Sequence, residues 1–246
     1  MSASPMSGLP TSAPSQAGDV AVIIPARNEA DRIAATVTAA AALDGVGLVV
    51  VVDDGSTDGT GGLARQAGAV VLRHVRNRGK AAAMQSGANA AGLVDQREHR
   101  EHPRHLLFLD ADLAESAAHA GPLAAPVLDG RADMTIAVFA ATVKLGGHGL
   151  VVGLSGAGIR RAVGWQPAQP LNGQRCLTRA AFEAARPLAR GWGVETALTI
   201  DLMRQGFRVA EVEVDLAHRA TGTGLRAQLH RAHQLTDVAR ALAARR

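Results

Sequence analysis

Short apolar runs alternate with longer alanine-rich stretches along the chain from Asp19 onward. The apolar runs predict strands, and the stretches between them have the spacing of helices. This alternation is typical of βα units, so the expected fold class is α/β, with a mainly parallel sheet flanked by helices. The run at 48–53 is rich in β-branched residues, as expected for a strand buried on both faces. The predicted strands are 20–25, 48–53, 69–75, 106–110, 133–139 and 209–216.

Helices are expected between these strands, while the charged segment 95–105 is expected to be an exposed loop. After Phe139 the alternation stops, and the glycine-rich segment 144–175 is predicted to be a functional loop or lid. The chain ends in a basic amphipathic helix, for which packing, dimer formation and peripheral membrane contact all stay open. The other predicted helices are 30–45, 58–66, 79–92, 116–128, 179–185 and 193–205.

The amino-acid composition limits which partners and cellular compartments are expected for this protein. The chain has 246 residues and a basic balance of 26 Lys+Arg to 22 Asp+Glu, but no tyrosine and few other aromatic residues for stacking on bases, so nucleic acid is not an expected partner. Its single cysteine, Cys176, excludes an intramolecular disulfide and fits a reducing compartment.

No apolar run is long enough to span a bilayer, so a cytoplasmic protein is expected. Residues 1–18 are predicted to be a disordered tail, and 19–246 a single domain.

Polar motifs follow the predicted strands at the edge where open α/β sheets bind ligands. PARNEA (25–30) ends the first strand, and VDDGSTDGT (52–60) ends the second. Ordinary helix capping explains much of the first motif. A turn explains much of the second, but it does not explain the adjacent carboxylates of Asp53 and Asp54, which repel each other.

Two further motifs carry opposite charges. RHVRNRGK (73–80) has several cations and no acid directly before a predicted helix, which fits an anion site, and a solvated basic loop explains the motif equally well. LFLDADL (107–113) places Asp110 and Asp112 after a buried strand, where they either hold a divalent cation or simply end the strand. Together the four motifs predict a site for a metal-bound nucleoside diphosphate.

In this order and at these spacings, VIIPARNEADRI, VVDDGSTDGT, NRGKAAAMQSG and LFLDADL resemble the nucleotide-sugar-binding half of family-two-type glycosyltransferases with the GT-A fold. The resemblance covers about residues 20–115. It implies that 19–115 binds the nucleotide sugar and that 116–246 binds the acceptor. The residues implied in nucleotide-sugar binding are Pro25, Ala26, Arg27, Glu29, Asp54, Ser56, Gly79, Lys80, Asp110 and Ala111.

The resemblance also implies individual roles. Asp54 would contact the uracil or ribose, and Lys80 would lie near the diphosphate. Asp112 would bind Mg²⁺ or Mn²⁺ directly, with Asp110 on the ribose or on metal-bound water.

The carboxyl-terminal half resembles glucosyl-3-phosphoglycerate synthases and, more loosely, polyprenyl-phosphate sugar transferases, through QPLNGQR (169–175), GWGVETALTIDLMRQG (191–206) and VEVDLAHRATGTG (212–224). In the first group a histidine completes the metal shell, and His218 matches it. Glu195 matches a glutamate near the acceptor and the donor sugar. It is the expected base of an inverting enzyme or, in a retaining one, the group that orients the sugar.

The sequence therefore predicts a metal-dependent hexosyltransferase that uses a nucleoside diphosphate sugar (UDP-glucose or a similar donor, or GDP-mannose) and an anionic acceptor, with Glu195 and Lys80 as catalytic residues. A polyprenyl-phosphate glycosyltransferase at the membrane surface and a catalytically inactive nucleotide-binding protein are the alternatives, and a homodimer is possible. The expected acceptor-binding residues are Lys144, Arg160, Asn172, Gly173 and Arg175.

Overall fold

A computed structural model describes residues 19–139, 149–216 and 225–245, without the side chains of 225–232. The strands are β1 (Val20–Ala26), β2 (Val46–Asp53), β3 (Val70–Arg73), β4 (His105–Phe108), β5 (Met134–Phe139), β6 (Arg175–Leu177) and β7 (Val209–Val214). The α-helices are α1 (Ile33–Ala41), α2 (Thr60–Gln66), α3 (Lys80–Arg97), α4 (Gly121–Leu128), α5 (Gly149–Val163), α6 (Arg179–Ala184), α7 (Val194–Arg204) and α8 (Leu225–Ala243). Short 3₁₀ helices cover Ala114–Ala120 and Gly191–Gly193.

In the described residues, the seven strands join one sheet in the order β3-β2-β1-β4-β6-β5-β7. Strand β6 is antiparallel to its neighbours, β4 and β5, and the other pairs of described strands are parallel. Along β1, Val20, Val22 and Ile24 enter one apolar layer, whereas Ala21 and Ile23 enter the other. Because helices cover both faces, the central strands are apolar throughout rather than alternating. The predicted α/β class is confirmed, and the one sheet contains strands from both predicted halves of the chain.

The segment predicted as a glycine-rich loop contains a helix instead. Helix α5 occupies 149–163, and it packs against α7 and α8. Glycine lowers helix propensity, which concealed the helix in the sequence. Here glycine allows close packing, since a Cβ atom at Gly158 would overlap the side chain of Leu242.

The charged segment predicted as an exposed loop is partly structural. Helix α3 extends to Arg97, and the carboxylate of Asp95 and the guanidinium of Arg104 form a buried ion pair at 2.5 Å. The backbone N–H of Arg104 also donates to Asp95. The sequence did not reveal this pair because burying two charges becomes favourable only when they meet in the fold.

Candidate active site

The loops that follow β1 and β2 are tied to each other. The backbone N–H of Asn28 donates to Ser56 Oγ at 3.0 Å, and that of Glu29 donates to Thr60 Oγ1 at 2.9 Å. Asn28 has a left-handed φ of 56°, and its side-chain oxygen accepts from the backbone N–H of Thr57. The cross-links bring PARNEA next to DGST at the carboxyl edge of the sheet, where Arg27 is exposed, Pro25 is half-buried and Ala26 is buried.

The adjacent aspartates after β2 face different partners. Asp53 accepts from the backbone N–H of Ser56 at 2.8 Å. The Oδ1 atom of Asp54 accepts from the backbone N–H of Arg78 and lies 2.6 Å from His74 Nδ1, while its Oδ2 accepts from the N–H of Gly79. The carboxylate predicted to contact the nucleotide is thus buried and holds the basic loop in front of α3. Sequence reasoning missed His74, which was not counted among the charged residues of that loop.

Lys80 begins α3 and joins two carboxylates from distant parts of the chain. Its Nζ lies 2.9 Å from Asp110 Oδ1, after β4, and 3.2 Å from Glu195 Oε1, at the start of α7. Burial alone would lower the pKa of Lys80, but Asp110 and then Glu195 outweigh it and raise this pKa well above its usual value. Lys80 therefore stays charged, so the two predicted catalytic residues, Lys80 and Glu195, meet at one point.

The turn before β6 lies beside this cluster. The amide nitrogen of Gln174 donates to Asp110 Oδ2 at 2.7 Å, and a Cβ atom at Gly173 would overlap Lys80 Nζ. The side chain of Asn172 donates to the carbonyl of Ala137 in β5, which fixes the turn on the sheet. Gln174 was not among the predicted site residues, although it lies in the QPLNGQR motif between Gly173 and Arg175, which were.

Arg175 was predicted to bind the acceptor, but its side chain lies inside the protein. Its guanidinium is buried and donates to the carbonyls of Asn172, Pro170 and Glu195 and to Thr199 Oγ1. Burial lowers the pKa of Arg175 to about 10, which still leaves it charged at neutral pH. Its donors are directed at these internal acceptors, so Arg175 links the turn to α7 rather than offering a cation to a substrate.

Replacing Arg175 by alanine is expected to lower the free energy of unfolding by about 3–5 kcal/mol, since each buried polar group left without its partner costs about 1–3 kcal/mol. Urea unfolding measures the change. Arg160→Ala is the control because Arg160 is exposed on α5, and its effect should stay within about 0.5 kcal/mol. Equal stabilities of the two variants would contradict the structural role.

The turn with the two aspartates after β4 is held by its backbone. Thr36 Oγ1 lies 2.9 Å from the carbonyl of Ala111 and accepts from the N–H of Ala114, and Arg32 donates to the carbonyl of Asp112. Asp110 and Asp112 are both partly exposed there. Residues Lys144 and His218, predicted for the acceptor and the metal, lie outside the described residues.

The carboxylate oxygens at this edge of the sheet can be compared with the ligands that Mg²⁺ or Mn²⁺ requires. In the described part of the chain, no group of three or more His, Cys, Asp or Glu side chains could hold a metal by itself. Mg²⁺ commonly takes one or two carboxylates and completes its coordination with water and substrate phosphates. The carboxylates at 110 and 112 fit that pattern for Mg²⁺ or Mn²⁺.

The sequence matches a known protein family. Residues 21–149, more than half of the chain, match the family described as glycosyl transferase family 2. The chain belongs to glycosyl transferase family 2. Every motif that suggested a nucleotide sugar lies inside the matched range. In the described residues of this family 2 chain, no helix is both long and apolar enough to cross a membrane.

Among curated proteins, the chain is 28% identical over 210 residues to glycosyltransferase AglJ of Haloferax volcanii. The aligned region covers 83% of this chain and 65% of AglJ, so this chain spans less than two thirds of that relative's length. Among solved structures it is similar to glucosyl-3-phosphoglycerate synthase of Mycobacterium tuberculosis in complex with phosphoglyceric acid. The identity is 26% and the TM-score 0.70, covering 92% of this chain and 79% of the other. The complex of the same synthase with Mn²⁺, UDP and glucosyl-3-phosphoglycerate gives 25% identity and a TM-score of 0.69, with the same coverage.

Proposed function

We propose that this protein is a metal-dependent hexosyltransferase that moves a sugar from a nucleoside diphosphate sugar to a small phosphorylated or carboxylated acceptor. One observation carries the proposal. Lys80, at the start of α3, lies between Asp110 and Glu195 at the carboxyl edge of the parallel sheet, and Lys80 and Asp110 are inside the range that matches family 2. This edge is where α/β sheets of this kind bind ligands.

The chain's own groups suit a diphosphate leaving group. Lys80 supplies a fixed positive charge, and the N–H groups at the start of α3 favour an anion. The basic loop before α3 adds Arg76 and Arg78, which are both exposed, and Asp54 holds its backbone in place. Lys80 and the backbone of this loop are held in place before the substrate arrives, so they can stabilise the negative charge that develops as the sugar leaves.

Asp112 and Asp110 are the residues that would hold Mg²⁺ or Mn²⁺, with His218 as a further candidate ligand. A bound divalent cation supplies additional positive charge to the phosphates of the leaving group. The synthase of Mycobacterium tuberculosis was solved with Mn²⁺ and UDP, which supports this cation and this nucleotide.

Glu195 is assigned to the transferred sugar. Its carboxylate is buried beside Lys80, and its backbone carbonyl is fixed by Arg175. It can hold a sugar hydroxyl next to the leaving group, or take the proton of the acceptor hydroxyl if transfer inverts the anomeric carbon. The anomeric configuration of the product distinguishes these two roles.

A panel of UDP- and GDP-sugars tests the function. With Mn²⁺ present, a true donor should raise the melting temperature, because a ligand that binds only the folded state stabilises it. The same donor should then give a glycosylated product with phosphoglyceric acid or with a polyprenyl phosphate, and the productive acceptor separates a small-acceptor enzyme from a lipid-phosphate enzyme. Nucleotide binding without transfer or donor hydrolysis would instead identify an inactive nucleotide-binding protein.

A further inference from the structure

The turn at residues 172–175 lies against Lys80, Asp110 and Glu195 through three different residues. The Cα of Gly173 faces Lys80 Nζ, the amide of Gln174 contacts the Asp110 carboxylate, and the guanidinium of Arg175 contacts the backbone carbonyl of Glu195. The turn therefore lies where it can set the relative positions of three residues that are far apart in the sequence.

We propose that Gln174 is a positioning residue: it fixes the carboxylate of Asp110 and, through it, the ammonium of Lys80 for sugar transfer. This inference rests on the proposed function. In this role Gln174 acts through Asp110 rather than by touching the substrate itself.

The contacts of Asp110 carry the proposal. Gln174 Nε2 donates to Oδ2 at 2.7 Å, and Lys80 Nζ donates to Oδ1 at 2.9 Å. The two donors engage different oxygens, so a rotation of the carboxylate weakens at least one bond. Asp110 is partly exposed, and without Gln174 this side of its carboxylate would lose the donor that limits its rotation.

Gln174 is itself held rigidly. Its backbone N–H donates to Asn172 Oδ1 at 3.0 Å, and its carbonyl accepts from the N–H of Ala137 in β5 at 3.0 Å. The side chain is completely buried. A positioning group is effective when its own conformation is fixed by a rigid element, and β5 provides that element here.

The orientation of the amide follows from chemistry. An ionised carboxylate only accepts hydrogen bonds, so Nε2 must face Asp110 and Oε1 must point away from it. Oε1 is buried and has no hydrogen-bond partner among the described residues. An amide that contributed only to packing could be replaced by an apolar side chain of similar shape at little cost, so the bond to Asp110 is the feature that needs glutamine.

Gln174→Met is the first test, because methionine keeps the length of the side chain and removes the donor. We expect kcat to fall about tenfold, as is common when a supporting contact of an active-site ligand is lost. The donor KM should change less than twofold, and the melting temperature without metal or substrate should be retained. Gln234→Met is the control, since Gln234 is a buried glutamine on α8 that likewise has an Oε1 without a partner among the described residues. It should leave kcat unchanged.

A double-mutant cycle with Asp110→Asn separates positioning from a general structural role. Asparagine keeps only one acceptor oxygen, so Lys80 and Gln174 cannot each donate to an oxygen of their own in that background. There Gln174→Met should change kcat less than twofold, against about tenfold in the wild-type background.

Equal losses of kcat in both backgrounds, or a lower melting temperature with unchanged kcat, would overturn the positioning role. If the wild-type protein transfers sugar and Gln174→Met matches it, only this inference fails. If the wild-type protein binds no nucleotide sugar, the proposed function fails and the inference with it.

Discussion

Replacing Asp112 by alanine is expected to lower kcat/KM for sugar transfer by about 10³-fold, the scale of losing a group that stabilises charge developing in a transition state. Asp112 follows β4 in a turn whose backbone is held by Thr36 and Arg32, so the substitution should remove a carboxylate without moving the turn. The assay is product formation with saturating Mn²⁺ and the donor found in the panel.

Binding measurements attribute this loss to the metal. In the wild-type protein Mn²⁺ should tighten UDP binding measured by calorimetry, whereas in Asp112→Ala the affinity should be nearly the same with and without Mn²⁺. Asp44→Ala is the control, because Asp44 is exposed just before β2, at the opposite end of the sheet. Undiminished turnover of Asp112→Ala would refute the assignment of Asp112 to the metal.

Gly173→Ala is expected to lower kcat/KM by about 10²-fold while the protein stays folded, because a small displacement of catalytic groups can cost that much. The added methyl group would overlap Lys80 Nζ and lie 3.3 Å from Asp110 Oδ1. Lys80 Nζ is the end of a flexible side chain, so the overlap can be relieved by moving the ammonium. That movement is inexpensive for the fold but takes Lys80 away from Asp110 and Glu195.

Thermal unfolding and initial rates, measured on the same preparations, check this separation of stability from activity. Gly153→Ala is the matched control, since a Cβ atom there meets nothing within 4 Å and Gly153 lies on the exposed surface of α5. It should leave activity unchanged and raise stability by about 0.5–1 kcal/mol through helix propensity. Full activity of Gly173→Ala would show that the contact between the turn and Lys80 is not needed for transfer.

Much of the fold follows from local patterns. The β-branched run before Asp53 and the apolar run before Asp110 predicted β2 and β4, and Gly79 followed by Lys80 marked the start of α3. Strand β6 and helix α5 were not predicted from the sequence. Three residues are too few to establish a strand period, and the glycines of α5 resemble a loop until α8 packs against them.

The residues of the candidate site show the same difference between what local sequence patterns reveal and what depends on tertiary contacts. The sequence identified Lys80, Asp110 and Glu195 separately, but it placed Arg175 on the acceptor and passed over Gln174 and His74. Arginine in a glycine-rich segment resembles a substrate-binding cation, and only burial shows that its donors are used inside the protein. A glutamine or histidine becomes informative only when its partner is known.

By itself, the sequence determined that this chain forms a mainly parallel α/β sheet with carboxylates and cations at one edge, because residue periodicity and strand ends are local properties. The tertiary structure decided which of these groups meet. Lys80 lies between carboxylates 30 and 115 positions away in the chain, Asp54 accepts from the basic loop before α3, and the turn at 172–175 supports the cluster. Those pairings depend on how the strands are ordered in the sheet and on what is buried between them, and neither is encoded in any single stretch of residues.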